Sequence, residues 1–199
     1  MASGEKSEVP AASETVVDQD MVDWFKELFD EESVVTSHSK PSAAGPESVP
    51  EGIEPRRYSL RDIEQKSLYL QDKNLVAAPL QGDNSAQEEI LSVLPNRSLD
   101  RKRIPLILTV KGGSQGISCG KEGQPKLQLE DKDLIYLFNN NEEAKRFTFF
   151  KSYNSSTHTF ESASYPGWYL CSPAEAHKPL MLTSDLGGAA ITDFYFNRK

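Results

Sequence analysis

The chain has 199 residues, is 37% hydrophobic and carries a net charge of −8, so it holds one ordinary domain with an extension or two small domains. Two cysteines exclude a disulfide scaffold, three scattered histidines offer no zinc spacing, and no apolar run approaches the ~18 residues of a membrane span. The start, Met1-Ala-Ser-Gly-Glu-Lys-Ser-Glu8, lacks a basic region followed by an apolar one, which predicts synthesis in the cytosol without a secretory leader.

Charge divides the chain. Residues 1–50 hold 11 acidic and 3 basic residues and therefore all of the net charge, while 51–199 hold 19 of each. The first segment is rich in Ser, Glu, Ala and Pro and is expected to be a disordered acidic extension. Within it, Met21, Trp24, Phe25 and Leu28 fall at i, i+3, i+4 and i+7, which predicts a short amphipathic helix near 20–30 capped by Asp18 or Asp20. Such a helix is too short to stand alone in water, leaving either a transient helix on a tail or a docking peptide that folds in a partner's groove. Residues 33–50 read as a linker.

From Glu51 the pattern becomes that of short strands, twelve in all: 56–61, 65–71, 74–79, 88–94, 104–111, 116–120, 125–130, 145–151, 157–164, 167–172, 179–184 and 191–197. Leu106, Leu108 and Val110 alternate onto one face, as do Leu127 with Leu129, Phe147 with Phe149, and Phe194 with Phe196. Turn residues separate the strands, notably Gln71-Asp-Lys-Asn74, Gly112-Gly-Ser-Gln-Gly116 and Pro166-Gly167. Asp131 to Phe138 is the exception, a short helical turn capped by Asp131 or Asp133. Twelve short strands in this length give an all-β barrel or sandwich. Three groups of four suit a β-trefoil, with the sandwich as the alternative on these grounds.

Reactive chemistry is missing from the sequence. There is no Gly-x-Ser-x-Gly elbow. Gly120-Lys121 lacks the glycine and the hydroxyl residue of a phosphate loop. Arg101-Lys102-Arg103 is one basic run on a neutral domain, too narrow for a nucleic-acid footprint. Cys119 and Cys171 lie in expected strands and read as small buried hydrophobes. The sequons Asn96-Arg97-Ser98 and Asn154-Ser155-Ser156 matter only on a secretory route.

Several segments carry a family resemblance: Leu94-Pro-Asn-Arg-Ser-Leu-Asp-Arg101, Val110-Lys-Gly-Gly-Ser-Gln115, Pro125-Lys-Leu-Gln-Leu-Glu130, Arg146-Phe-Thr-Phe-Phe150, Phe160-Glu-Ser-Ala-Ser-Tyr-Pro-Gly-Trp-Tyr-Leu-Cys171 and Ile191-Thr-Asp-Phe-Tyr-Phe196. Through them, residues 56–199 resemble the interleukin-1 superfamily, and within it the interleukin-36 branch. The resemblance implies a β-trefoil, no enzyme activity and no cofactor. It also implies leaderless release and a monomer that binds an interleukin-1-receptor-type ectodomain and, for an agonist, recruits an accessory chain. Receptor contact would fall to Arg97, Asp100, Arg101, Arg103 and Asp193. The branch's active terminus lies nine residues before an aliphatic-x-Asp motif. Leu60-Arg61-Asp62 fits that motif and implies processing by a protease between Pro50 and Glu51, where the composition also changes. Asp193 and the short segment 183–190 look like agonists, to which the reading leans. Pro95–Arg101 and Phe194-Tyr-Phe196 look more like the branch's receptor antagonist and interleukin-38. An intracellular regulator and a glycan-binding trefoil are the remaining readings.

Overall fold

A computed structural model describes residues 19–30, 54–80 and 82–199. Its strands are β1 Arg56–Asp62, β2 Ser67–Gln71, β3 Asn74–Ala78, β4 Leu91–Pro95, β5 Pro105–Val110, β6 Gln115–Glu122, β7 Gln124–Glu130, β8 Thr148–Asn154, β9 Thr157–Ser162, β10 Tyr169–Cys171, β11 Lys178–Pro179, β12 Met181–Thr183 and β13 Phe194–Arg198. Each expected strand has a counterpart. The expected strand 179–184 is broken at Leu180 because the chain changes partner there: Lys178 and Pro179 pair with Ala77 and Val76 of β3, while Met181–Thr183 pair with β10. The strand expected from 145 begins at Thr148, since Lys145–Phe147 make a 3-10 turn.

Pairing closes a ring. β1 bonds to β4, β4 to β5, β5 to β8, β8 to β9, β9 to β13, and β13 back to β1, all antiparallel. A closed ring removes exposed edges, which a two-sheet sandwich does not. Three further pairs hang from it: β2–β3 from β1, β6–β7 from β5, and β10–β12 from β9. The chain thus repeats one four-strand plan three times, which is trefoil connectivity.

The register separates the two ends of this barrel. Arg56 pairs with Val93 and Tyr58 with Leu91, so β4 runs back past the start of β1 into the loop 96–104. Phe194 pairs with His158 and Tyr58 with Arg198, so the β8–β9 turn and the end of β13 lie at that same end. This mouth therefore carries the start of β1, the end of β13, the loop 96–104 and the turn 154–157. At the far end the hairpins meet, with Leu75, Ile117, Leu127 and Leu180 lining one shallow cleft.

Alternating phenylalanines fill the barrel, as their spacing required. Phe147, Phe149, Phe160 and Phe194 are fully buried, and Phe160 meets Phe194 and Phe196 edge-on at 6.3 and 5.1 Å between centroids. Gly116 belongs to this packing: a Cβ there would overlap the Phe147 ring. Asp72 and Lys73 both take positive φ (50° and 67°), the two-residue turn that suits the twist of a hairpin. Leu134–Phe138 forms the expected helical turn, with Asp133 accepting from the Ile135 amide at 3.0 Å.

The short helix expected near 20–30 packs against the barrel. Gln19–Asp30 forms α1, and Met21, Trp24, Phe25 and Leu28 are each 4–5% exposed, joined to the same core cluster as Tyr58 and Phe196. The periodicity gave the right face. The groove that receives it is the chain's own barrel. Residues 1–18 and 31–53, with the linker and Pro50-Glu51, lie outside the described residues.

Candidate functional site

The loop 96–104 is held from beneath and presents charge above. Asn96 is fully buried and ties the loop down: it donates to Thr148 Oγ1 at 3.0 Å and accepts from the Ser98 amide and hydroxyl. Its sequon therefore offers no accessible amide in the folded chain. Arg97 lies over the Phe138 ring at 4.2 Å. Asp100 accepts from the Lys102 amide at 3.0 Å, opening the 3-10 turn Arg101–Arg103. Arg103 stacks on Phe150 at 4.0 Å and pairs with Glu161 at 2.7 Å. Glu161 also accepts from the Gly167 amide at 2.8 Å, so the loop is locked to the Pro166-Gly167 turn. Gly167 has φ 90° and the Trp168 amide donates to Tyr165 O, the geometry that a Pro-Gly pair favours. The loop closes through Ile104, held at φ 54°, a strained value for a β-branched residue.

Asp193 stands elsewhere. It precedes Phe194, which pairs with Asp62 at the inner end of β1, whereas Arg198 pairs with Tyr58 near the mouth. Five residues of strand separate Asp193 from Arg198, roughly 16 Å. Asp193 and Tyr195 are half-buried while Phe194 and Phe196 are buried, as alternation predicts. The expected contact residues therefore form two patches, one loop at the mouth and one strand approach.

The aliphatic-x-Asp motif lies in a buried corner of the fold. Leu60 and Asp62 are 1% exposed. Asp62 pairs with Lys66 at 2.9 Å, accepts from Ser172 Oγ at 2.6 Å, and accepts the Glu64 and Lys66 amides at 2.9 Å. Both members of the ion pair are buried, so each depends on the other. In the folded chain these side chains are closed to a protease.

Sequence reasoning missed the electrostatics of the mouth. Arg56 lies over the Trp24 ring at 4.4 Å and pairs with Asp20 at 3.1 Å, and Arg198 approaches Asp20 at 4.0 Å. Tyr58 stacks on Phe196 at 4.1 Å, nearly parallel. Burial pushes the Tyr58 hydroxyl above its ordinary value, with Arg56 pulling the other way. Beside them His158 is buried, its imidazole pushed down to about 3 by desolvation and by Lys151. Cys119 and Cys171 are free, buried thiols, both pushed up to about 11 by burial. Among the described residues no His, Cys, Asp and Glu cluster is arranged to hold a metal, and no helix is long and apolar enough to cross a membrane.

A family model described as "Interleukin-1 / 18" matches residues 80–196. The chain belongs to the interleukin-1 family. Human "Interleukin-1 family member 10" is 42% identical over 145 residues, covering 72% of this chain and 95% of that protein. Human "Interleukin-36 receptor antagonist protein" is 43% identical, covering 71% and 94%. Among solved structures, interleukin-36alpha superposes with a TM-score of 0.61 at 33% identity, covering 76% of this chain and 98% of that one. Chicken interleukin 1 beta gives 0.62 at 28%, covering 73% and 97%. The ring with three hairpins is thus the interleukin-1 β-trefoil, and the protein is a cytokine of a non-enzymatic family.

Proposed function

We propose that this cytokine acts outside the cell, after leaderless release, by occupying an interleukin-1-receptor-type ectodomain of the kind that interleukin-36 ligands use. One observation carries the reading: 43% identity over 145 residues and 94% of a protein named as the interleukin-36 receptor antagonist. The receptor-facing residues are Arg97, Asp100, Arg101 and Arg103 on the mouth loop and Asp193 at the approach to β13. The loop's rigid seating suits a few strong contacts within a polar rim. The barrel works as a monomer, and a protease acting between Pro50 and Glu51 sets its activity.

The named relatives favour a blocking ligand, one that binds the primary receptor and leaves the accessory chain unrecruited. A signalling ligand is the second reading, favoured by Asp193 and by the short segment 183–190. Treating cells that bear candidate receptor pairs with the 51–199 form, alone and against a known agonist, separates the two. Lost agonist response with no response of its own supports blocking. A response to the 51–199 form alone supports signalling. No effect in either arm would refute receptor occupancy.

A further inference from the structure

We propose that the mouth of the barrel is a docking surface for an acidic amphipathic helix, and that α1 is its occupant in cis, a latch held by its tether. The first ground is burial. Four side chains of a 12-residue helix are almost fully covered, while Val22 on the opposite face is 50% exposed. The second is a matched polar contact at the rim. Arg56 uses its guanidinium face on Trp24 and its edge on Asp20, which Arg198 also approaches. The third is charge complementarity. α1 brings Asp20, Asp23 and Glu27 against one Lys26, and the mouth answers with Arg56-Arg57 on β1, Arg198 at the end of β13 and Lys199 just after it, whose amide donates to Arg57 O.

The attachment differs in kind from that of the strands around the barrel. The strands are bonded backbone to backbone in fixed register. The contacts of α1 given above are made by side chains, so it can leave without breaking the ring. A helix this short gains little from its own hydrogen bonds and folds because the mouth takes its apolar face. The segment 31–55 joins it to β1, and a tether of that order keeps a docked module at an effective concentration near millimolar. Cutting that segment turns a tethered contact into a bimolecular one. At micromolar protein the helix then departs, leaving an apolar, arginine-flanked mouth beside the loop 96–104.

Amide hydrogen exchange on the full 199-residue chain tests this without any receptor, so its outcome is independent of the receptor reading. The wild type is compared with Leu28→Asp and Arg56→Glu. Amides of α1 should exchange roughly thirtyfold faster in Leu28→Asp and roughly tenfold faster in Arg56→Glu, while amides of β5 keep wild-type protection. Moderate salt should narrow the gap between wild type and Arg56→Glu. Two results would overturn the proposal. One is α1 amides in the wild type that exchange as fast as in Leu28→Asp. The other is loss of β5 protection in Leu28→Asp, which would make α1 an integral wall of the core.

Discussion

The two ends of the barrel are closed by different means. At the far end the hairpins β2–β3, β6–β7 and β10–β12 meet, each bonded to a ring strand, and the corner beneath them is pinned by the buried Asp62–Lys66 pair with Ser172. At the mouth the closure comes from an appended helix, through Met21, Trp24, Phe25 and Leu28 and the rim of Arg56 and Arg198. Under the latch proposal, loss of the first closure should unmake the fold, and loss of the second should change only what the surface shows.

Substitutions at the two ends should separate these roles, and the largest effect belongs to the far end. Asp62→Ala strands the Lys66 ammonium in a buried site and should cost about 3–5 kcal/mol, read as a lowered urea midpoint. Gly116→Ala forces a methyl into the Phe147 ring and should cost about 1–3 kcal/mol in the same measurement.

His158, near the mouth, makes a pH test. Its folded value, about 3, lies below the unfolded ~6.5, so the neutral form is the folded one. The unfolded chain binds a proton below pH ~6.5 that the fold refuses, so stability falls as pH drops from there toward 3, at most about 1.4 kcal/mol per pH unit. His158→Phe should flatten that slope in pH-dependent unfolding curves. The Glu130–Arg146 pair contributes less. Glu130 is held below its ordinary value chiefly by its hydrogen bond to Arg146, so its contribution is present at neutral pH and lost as pH falls through its folded value. Glu130→Gln should cost under about 1 kcal/mol at pH 7 and nothing once the carboxyl is protonated. The effect of Trp24→Ala on the barrel should be smaller than that of Asp62→Ala in the same urea unfolding, since under the latch proposal it frees α1 and leaves the ring of strands paired.

The strands were legible because their cause is local. The alternation of Leu106, Leu108 and Val110, or of Phe194 and Phe196, states which side chains meet the core, and Asp72-Lys73 and Pro166-Gly167 state where the chain turns. Closure of the ring was less legible, since it depends on β13 finding β1 across the whole domain. The helix 19–30 was readable as a helix and as one apolar face. Its partner was not, because nothing in Met21–Leu28 names Tyr58, and because Arg56, its main anchor, reads in sequence as one more surface cation. The motif Leu60-Arg61-Asp62 was legible as a marker along the chain and not as a corner of the fold. Its resemblance pointed to processing, yet its side chains serve the corner of the fold, and a motif's position can mark a distance along the chain while its atoms do something else. Arg103, expected as a contact residue, is also engaged by Glu161 and Phe150, a partnership visible only once the loop and the Pro-Gly turn share one surface.

Receptor affinity of three forms puts the claim that α1 covers a working surface to its most direct test: the full chain, the full chain carrying Leu28→Asp, and the form beginning at Glu51. Binding to an immobilised interleukin-36-type receptor ectodomain should be equal for the last two and at least roughly tenfold tighter than for the first. Equal affinity for all three would contradict it.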